Sequence, residues 1–460
     1  MQMQSIVSRN PGKNYQTNGA VDVTPDNEIK RKVEKANEAK EGWRRIGVKG
    51  RVALLKKVQD ALKERADDIA KTITKEVGTP IAECMGEIAW DWTYFEWFLE
   101  NAVNALAPEV THEDDAVLYQ QVYEPIGSAA VITPWNLPFD MFVWGVMPNL
   151  LVGNTVVYKA AEECALTSKL LEEIMGAVNL PDGVFSMVQG AGEQGELLTK
   201  QDVDIIWFTG SSEVGKKLYD LAGKKFIKGV MELGGSNPAI VFEDADLDKV
   251  VSTVVFKRYS FAGQTCDAVK RLIVHEDVYD KLLAFLTAKV AAIKIGDPED
   301  GTTGIGPLVS KKQLDALLSQ VATSVKAGAK VVIGGKQPED LQGAYYLPTI
   351  LANVTPDMPV WREEVFGPVL PIVTFTEEAE AVRMANDTEY GLGSQVYTAD
   401  KARAARVAAE IKAGSVDING TNRFRPFNSF GGYKGSGMGR EHGIYGLREL
   451  CQVKVLSQTK

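Results

Sequence analysis

The chain has 460 residues, of which 45% are hydrophobic and 24% charged, and its formal net charge is -10. This composition is typical of a globular protein with more than one domain, and the acidic balance disfavours nucleic acid and anionic membranes as partners. The start of the chain has no apolar signal-peptide core, and Cys84, Cys164, Cys266 and Cys451 lack the paired spacing of a disulfide framework or a zinc site. We therefore expect a cytoplasmic protein without a metal site.

The first quarter of the chain is predicted to be helical. Apolar residues recur at three- and four-residue intervals over residues 27–107. An aromatic cluster within this region is predicted to belong to the core rather than to a ligand box. It consists of Trp90, Trp92, Tyr94, Phe95, Trp97 and Phe98. Residues 117–123 then alternate between apolar and polar, which predicts a strand of a protruding hairpin.

From residue 126 onward, short apolar strands alternate with helical stretches, which predicts a parallel sheet with helices on its faces. The predicted strands in this part are 127–133, 155–158, 184–188, 205–209, 271–275 and 331–333. Residues 139–158 are mostly apolar but are interrupted by Asp140, Pro148 and Asn149. We therefore predict a buried helix followed by a buried strand there, and not a membrane span. The chain ends in a predicted helical turn and strand at 446–456.

A cysteine and a carboxylate are the candidate catalytic pair. Cys266 lies in a glycine-containing turn after an apolar, aromatic run, and Glu232 leads from an apolar strand into Gly-Gly. A thiol must be deprotonated to act as a nucleophile, and histidine is its usual partner. The chain has three histidines, His112, His275 and His442, and none lies in a motif built around Cys266. Glu232 is therefore the better candidate for the base.

Two glycine-containing turns are candidate phosphate sites. Gly190-Ala-Gly192-Glu-Gln-Gly195 matches G-x-G-x-x-G, although such turns are common in α/β proteins. In Phe208-Thr-Gly210-Ser211-Ser, a strand runs into a predicted N-cap, and the free N–H groups of the next helical turn suit a phosphate. Lys159 and Glu162 follow another strand, at the edge where open α/β sheets bind ligands. A plain capped helix and solvated loop charges remain as alternatives.

These residues lie in motifs that resemble those of the aldehyde dehydrogenase superfamily, in the same order and over almost the whole chain. The motifs are Thr133-Pro134-Trp135-Asn136-Leu137, Lys159-Ala-Ala-Glu162, Phe208-Thr-Gly210-Ser211, Glu232-Leu233-Gly234-Gly, Gly-Gln-Thr265-Cys266, Glu364-Val-Phe366-Gly-Pro and Phe430-Gly-Gly. The resemblance implies an α/β fold with two Rossmann-type parallel-sheet domains and a small protruding β oligomerisation element. The implied division is 1–106 and 126–231 for the NAD(P)-binding domain, 232–435 for the catalytic domain, and 107–125 with 436–460 for the oligomerisation element.

The resemblance also implies NAD(P)-dependent oxidation of a small aldehyde to its carboxylate. Cys266 is the implied nucleophile, which forms a thiohemiacetal and then a thioester. Asn136 and the N–H of Cys266 are the implied oxyanion donors, and Glu232 is the base that activates water. An acylating enzyme that uses coenzyme A is disfavoured because such relatives usually lack the base. The alternative of another class is a non-catalytic nucleotide-binding relative, and the presence of all three residues speaks against it.

For the cofactor, the resemblance implies that Lys159 and Glu162 hold the adenosine ribose, Ser211 the pyrophosphate and Glu364 the nicotinamide ribose. The other implied cofactor contacts are Thr133, Pro134, Trp135, Gly192, Phe208, Gly210, Leu233, Gly234 and Phe366. The resemblance moves the G-x-G-x-x-G turn from the pyrophosphate to the lining near the adenine. Glu162 favours NAD because a carboxylate repels a 2'-phosphate, whereas Lys159 leaves NADP possible.

For the substrate, the residues implied to line the aldehyde tunnel are Leu137, Met141, Trp144, Thr265, Asp267, Arg423, Phe424, Arg425 and Phe430. An arginine in the closing loop either clamps a carboxylate or phosphate or faces solvent. Asp267 is expected to oppose thiolate formation, or to turn away and bond a backbone amide. The short length, the turn ending at Pro238 and the run from Gly439 to Arg448 resemble short succinate-semialdehyde dehydrogenases, so succinic semialdehyde is the predicted substrate. The alternatives are glyceraldehyde, glyceraldehyde 3-phosphate and lactaldehyde, because the run from Cys266 to Lys270 resembles enzymes acting on hydroxyaldehydes.

Two expectations concern the ends of the chain. The strand at 117–123 and the last strand, 452–457, would leave open edges, so we expect them to pair across subunits in a homodimer or homotetramer. The chain is also expected to lack the N-terminal strands that many relatives have.

Overall fold

The computed structural model describes residues 4–422 and 424–460, and Arg423 lies outside the described residues. Within these ranges the strands are β1 (Ser5–Asn10), β2 (Gln16–Asp22), β3 (Glu109–Glu113), β4 (Val117–Pro125), β5 (Ser128–Ile132), β6 (Thr155–Lys159), β7 (Phe185–Met187), β8 (Ile205–Thr209), β9 (Lys228–Glu232), β10 (Asn237–Val241), β11 (Val269–His275), β12 (Lys330–Ile333), β13 (Thr349–Ala352), β14 (Val369–Phe375), β15 (Gly393–Tyr397), β16 (Ser415–Ile418), β17 (Gly437–Met438) and β18 (Cys451–Thr459). The helices in the same ranges are α1 (Asp26–Arg45), α2 (Gly47–Glu64), α3 (Ala66–Val77), α4 (Ile81–Ala105), α5 (Pro138–Val152), α6 (Ala165–Ala177), α7 (Gly192–Lys200), α8 (Ser212–Lys225), α9 (Leu247–Tyr259), α10 (Glu276–Ala291), α11 (Lys311–Lys326), α12 (Pro359–Arg362), α13 (Glu378–Asn386), α14 (Lys401–Glu410) and α15 (Gly443–Glu449).

The first parallel sheet has the strand order β17-β9-β8-β5-β6-β7, and only β17 at its edge runs antiparallel among the described strands. Its central strands are buried along their whole length, as expected for strands covered on both faces. Every residue of α5 is buried, which explains why the sequence from residue 139 is apolar on all sides. The predicted buried helix and strand are therefore confirmed.

The second sheet has the order β12-β13-β14-β11-β10-β15-β16 and is parallel apart from the edge strand β12. A hydrophobic core of its own surrounds it. Two parallel sheets with helices between their strands confirm the predicted α/β class. The division of the chain at the boundaries given above stays a prediction.

The third sheet, β18-β4-β3, is antiparallel and exposed, and it corrects one expectation. The last strand pairs with β4 inside the same chain, from Cys451 opposite Pro125 to Thr459 opposite Val117. Because β4 is held between β3 and β18, it has no open edge for another subunit. The outer edge of β18 is unpaired within the part of the chain that the structure describes.

The N-terminal residues also differ from expectation. β1 and β2 form an antiparallel hairpin, from Ser5 opposite Asp22 to Asn10 opposite Gln16. Both strands are mostly polar and largely exposed, so they lack the apolar alternation by which a strand is predicted. None of the described helices is long and apolar enough to cross a membrane.

Candidate active site

A cavity of about 760 Å³ lies where the two parallel sheets approach each other. The ends of β8 and β9 line it from the first sheet, and the turn before β11 lines it from the second. Cys266, Glu232 and Asn136, which are separated by up to 130 residues in sequence, all contribute to its wall. The fold therefore brings the three predicted catalytic side chains to one space.

The turn that carries Cys266 is held by hydrogen bonds to its carbonyl groups. Asn237 Nδ2 donates to the carbonyl oxygens of Cys266, at 2.9 Å, and of Ala268, at 3.0 Å. A Cβ at Gly235 would lie 2.8 Å from the Cys266 carbonyl oxygen, so glycine is needed for this close approach. Within residues 4–422 and 424–460, the N–H of Cys266 donates to no protein acceptor. It is therefore available to a ligand in the cavity.

The thiol of Cys266 is electrostatically disfavoured as a thiolate in the free protein. Burial raises its pKa, and the carboxylate of Asp267 raises it further. The ammonium group of Lys270 acts in the opposite direction and lowers it. The side chain thus needs a proton acceptor, or a change in its surroundings, before it can attack.

Glu232 ends β9 and is 3% exposed. Neither of its carboxylate oxygens has a hydrogen-bond partner among the described residues. Burial raises its pKa well above the usual value; Glu441 raises it further, and Arg440 lowers it. A Cβ at Gly431 would lie 2.9 Å from Glu232 Oε1, so this glycine leaves room for the carboxylate. A carboxyl group without a fixed partner, in a cavity, is suited to exchange a proton with water or a substrate.

Asn136 lies in the turn between β5 and α5 and is 8% exposed. Pro138 is the first residue of α5. Its fixed φ suits the start of a helix, so the turn that carries Asn136 ends there. The side-chain amide belongs to the same cavity wall as the sulfur of Cys266. It can supply a second N–H donor to the cavity that the N–H of Cys266 also reaches.

The predicted tunnel residues form the aromatic side of the cavity. The wall includes Leu137, Met141, Trp144, Thr265, Asp267, Phe424, Arg425 and Phe430. Arg423, also predicted here, lies outside the described residues. Asp267 forms an ion pair with Lys257, whose Nζ lies 4.7 Å from the centroid of the Phe424 ring. Of the two expectations for Asp267, opposition to thiolate formation agrees with its effect on the pKa of Cys266, and the bond to a backbone amide stays a prediction.

A buried group of carboxyls was not predicted from the sequence. Glu87, Asp91 and Asp140 have carboxylate oxygens within 4.8 Å of one another, and all three residues are buried. Trp144 Nε1 donates to Asp91 Oδ1 at 3.0 Å. Burial raises the pKa of Asp91 to about 8. Glu87 and Asp140 line the cavity, so this side offers acids as well as aromatic rings.

Glu364 and Phe366 also line the cavity, together with residues from the end of β9. Glu364 Oε1 accepts from Gly235 N at 3.0 Å and forms an ion pair with Lys270. A Cβ at Gly234 would collide with Glu364 Oε2, so a larger residue there would displace this carboxylate. Lys270 Nζ lies 4.9 Å from the centroid of the Phe366 ring.

Comparison with known proteins decides which family has this arrangement. The profile of the aldehyde dehydrogenase family matches residues 1–456. The chain belongs to the aldehyde dehydrogenase family.

The similarity to individual relatives extends over nearly full lengths. The chain is 38% identical over 456 residues to glutarate-semialdehyde dehydrogenase of Pseudomonas aeruginosa, covering 98% of this chain and 94% of that protein. It is 37% identical over 441 residues to the NADP(+) succinate-semialdehyde dehydrogenase GabD of Escherichia coli, covering 95% and 91%. The crystal structure of PnpE in complex with nicotinamide adenine dinucleotide is similar with a TM-score of 0.95 and 33% identity, covering 99% of this chain and 94% of that one. The protein is therefore an oxidoreductase that acts on aldehydes and uses NAD or NADP.

The residues of this aldehyde dehydrogenase fit a dinucleotide along one wall. Ser211 caps α8, and its Oγ accepts from Val214 N at 3.4 Å. In the described part of the chain, the N–H groups of Ser212 and Glu213 have no protein acceptor, which suits a pyrophosphate. A Cβ at Gly210 would collide with the ring of Phe208, so glycine is required at this turn. Pro134, Trp135, Gly210, Ser211, Leu233 and Gly234 line the cavity.

The remaining predicted cofactor residues lie beyond the wall of this cavity as the structure describes it. Lys159 ends β6 and is buried, and its Nζ lies 3.6 Å from Glu162 Oε2. Thr133 Oγ1 is 2.8 Å from Tyr158 Oη, Phe208 is buried in β8, and Gly192 begins α7. The G-x-G-x-x-G turn is closed by its own side chain, because Gln194 Oε1 accepts from Ala191 N at 3.0 Å.

Two further residues beside the predicted site were missed. Glu441 lines the cavity, and burial raises its pKa to about 8. His442 follows it, is buried, and has neither ring nitrogen hydrogen-bonded to a described residue. Both lie in the glycine-rich run after β17, where nothing in the sequence pattern indicates burial.

Proposed function

We propose that this aldehyde dehydrogenase oxidises a small aldehyde to its carboxylate through Cys266, Asn136 and Glu232. The observation that carries the proposal is that these side chains share one cavity with Glu364 and Phe366. Sulfur, amide and carboxyl groups are what a thioester route requires, namely a nucleophile, an oxyanion donor and a base.

In the first half of the reaction, the thiol of Cys266 gives its proton to solvent water and its sulfur attacks the aldehyde carbon. The new C–S bond places negative charge on the carbonyl oxygen. The side-chain amide of Asn136 and the free N–H of Cys266 donate to this oxygen. When NAD(P) is bound, its nicotinamide supplies the acceptor for the hydride that leaves the aldehyde carbon.

In the second half, Glu232 takes a proton from water as the water oxygen attacks the thioester carbonyl. The C–S bond then breaks, the carboxylate product leaves, and the sulfur of Cys266 departs as a thiolate. The raised pKa of Glu232 suits this role, because a stronger base removes the proton of water more readily once it is ionised.

The cofactor is proposed to be NAD, with NADP also accommodated. Ser211 and the first turn of α8 would hold the pyrophosphate, Glu364 the nicotinamide ribose, and Lys159 with Glu162 the adenosine ribose. Support comes from the free N–H groups of that turn and from the carboxylate of Glu162 beside Lys159. Gly192 would lie near the adenine.

For the substrate, we propose a semialdehyde that carries a carboxylate, with succinic semialdehyde as the first candidate. The named relatives act on succinate and glutarate semialdehydes. Arg425 lines the cavity, and its Nη1 donates to the carbonyl of Phe424 at 3.0 Å, which leaves the rest of its guanidinium able to meet a carboxylate. Glyceraldehyde, its phosphate and lactaldehyde remain alternatives.

One observation favours a second candidate, an aldehyde with a cationic amino group. Neither carboxylate oxygen of Glu87 has a hydrogen-bond partner among the described residues, and both Glu87 and Asp140 line the cavity. The aromatic ring of Trp90 also lines the cavity, with its centroid 6.2 Å from that of Trp144. Burial raises the pKa of Glu87 and Asp140 well above the usual value. An ammonium group bound near them would favour their ionised forms and would also interact with the aromatic faces.

A kinetic comparison distinguishes the two classes. We expect succinic and glutaric semialdehydes to give higher kcat/KM than 4-aminobutanal, glyceraldehyde or lactaldehyde. The reaction rates are measured from the absorbance of the reduced cofactor. Arg425→Gln is expected to lower kcat/KM for the carboxylated substrates by about 10-fold or more, because a charge-assisted hydrogen bond is lost. The same variant should leave kcat/KM for 4-aminobutanal unchanged. A preference for 4-aminobutanal that is lost in Glu87→Gln would contradict the semialdehyde proposal and support the cationic one.

We also propose that the enzyme is a homodimer or homotetramer that uses the third sheet. The outer edge of β18 is unpaired in the described chain, and Val453, Val455 and Leu456 are exposed along it. An exposed apolar edge strand is suited to pair with another chain. Light scattering at micromolar concentration is expected to give a mass of at least two chains. A single species of 50.2 kDa would refute the proposal.

A further inference from the structure

The backbone just before the nucleophile adopts a strained turn. After α9 ends, Phe261, Ala262 and Gly263 have φ values of 53°, 53° and 71°, all in the left-handed region. That region is sterically disfavoured for residues with a Cβ. Gly263 avoids this strain, and a Cβ there would lie 2.5 Å from the carbonyl oxygen of Gly367. Phe261 and Ala262 need outside contacts to remain in this conformation.

Part of this support comes from residues near the second sheet. The guanidinium of Arg258 donates to the carbonyl of Gly263 at 3.2 Å and to that of Val365 at 3.1 Å. Gln264 Oε1 accepts from Val309 N at 3.0 Å. These bonds fix the end of the turn and the residues that follow it, but they do not engage the N–H where the left-handed stretch begins.

That N–H is met by a carboxylate from another part of the chain. Phe261 N donates to Glu83 Oε2 at 2.9 Å. Glu83 lies in the first turn of α4, a helix that packs against α5 of the first sheet. Burial raises the pKa of Glu83 to about 7, while the hydrogen bonds from Phe261 N–H and Ser260 lower it. Glu83 also lines the cavity.

We propose that Glu83 is a positioning residue, which holds the left-handed turn by its bond to Phe261 N and thereby fixes Cys266 in the cavity. The proposal rests on the proposed role of Cys266. Without the carboxylate, the N–H loses its acceptor and the two strained residues can relax toward ordinary φ values. The thiol then moves away from Asn136 and Glu232, and it becomes more accessible to water.

The test compares Glu83→Met with Glu83→Gln. Methionine fills the space but cannot accept from the N–H, whereas the amide oxygen of glutamine can. We expect Glu83→Met to lower kcat roughly 10- to 100-fold, because displacement of a reacting group by about 1 Å has effects of this size. Glu83→Gln should retain most of the activity. Glu100→Met, an exposed glutamate on the same helix, is the matched control.

Alkylation of Cys266 by iodoacetamide supplies a readout that needs neither aldehyde nor cofactor. Glu83→Met is expected to alkylate the Cys266 peptide faster at neutral pH, since exposure to water lowers the thiol pKa. Thermal unfolding shows whether each variant is folded, and Glu83→Ala replaces Glu83→Met if the latter is not. If Glu83→Met has the kcat and the alkylation rate of the wild type, the proposal is overturned. It is also overturned if Glu83→Gln is impaired as much as Glu83→Met. Because alkylation is measured without turnover, this result is separate from any failure of the proposed reaction.

Discussion

Replacement of Cys266 by alanine is expected to lower kcat for aldehyde oxidation by roughly 10³-fold or more, since removal of a covalent nucleophile has effects of this size. Among the described residues, no other thiol lines the cavity. Reduced-cofactor absorbance measures the loss. Binding of NAD(P), measured by the quenching of tryptophan fluorescence, should persist because the residues proposed to hold the cofactor are unchanged.

Cys451→Ala is the matched control. Cys451 begins β18, is half-buried and lies away from the cavity wall described here. We expect its kcat to equal that of the wild type. If Cys266→Ala oxidises aldehydes at the wild-type rate, the cysteine route is wrong and the protein uses another chemistry.

Glu232→Gln is expected to separate the two halves of the reaction. The glutamine cannot accept a proton from water, so the steady-state kcat should fall by about 10²- to 10⁴-fold, as general-base contributions do. The first turnover does not need the hydrolytic water, so a burst of reduced cofactor should remain. Stopped-flow absorbance measures both phases. Loss of the burst together with the steady state would mean that Glu232 acts in the first half of the reaction instead.

The pH dependence of this step follows from the neighbouring carboxyl. Burial raises the pKa of Glu232 most, and the charge of Glu441 raises it further. The base must be ionised, so hydrolysis should increase as pH rises through this elevated pKa. In Glu441→Gln the repulsion is absent, the pKa of Glu232 falls, and the acid limb of the kcat profile should shift to lower pH. A shift to higher pH would show that Glu441 does not act through its charge.

The sequence predicts those parts of the fold whose apolar pattern is strong. The strand at 205–209 and the buried helix and strand from residue 139 occur as expected, because continuous apolar runs indicate burial on both faces. The hairpin of β1 and β2 has no such pattern. The pairing of β18 with β4 joins segments more than 300 residues apart, and the sequence of neither strand identifies the other as its partner.

The site shows a similar division. Cys266, Glu232 and Asn136 lie in distinctive motifs, and the fold brings them to one cavity as predicted. Glu83 and Glu441 were not predicted, because their importance arises from contacts. Glu83 has the appearance of an ordinary helical glutamate until α4 meets the turn at Phe261. Burial of Glu441 beside Glu232 likewise depends on how β17 closes the first sheet.

The most direct test of the whole account is the mass of the Cys266 peptide from Glu232→Gln. The variant is mixed with aldehyde and NAD(P), quenched in acid within the burst, digested and analysed by mass spectrometry. We predict that the peptide gains the mass of the acyl group of the substrate, bound as a thioester that hydroxylamine removes. An unmodified Cys266 peptide after a full burst, or an acyl group on a different residue, would contradict the mechanism.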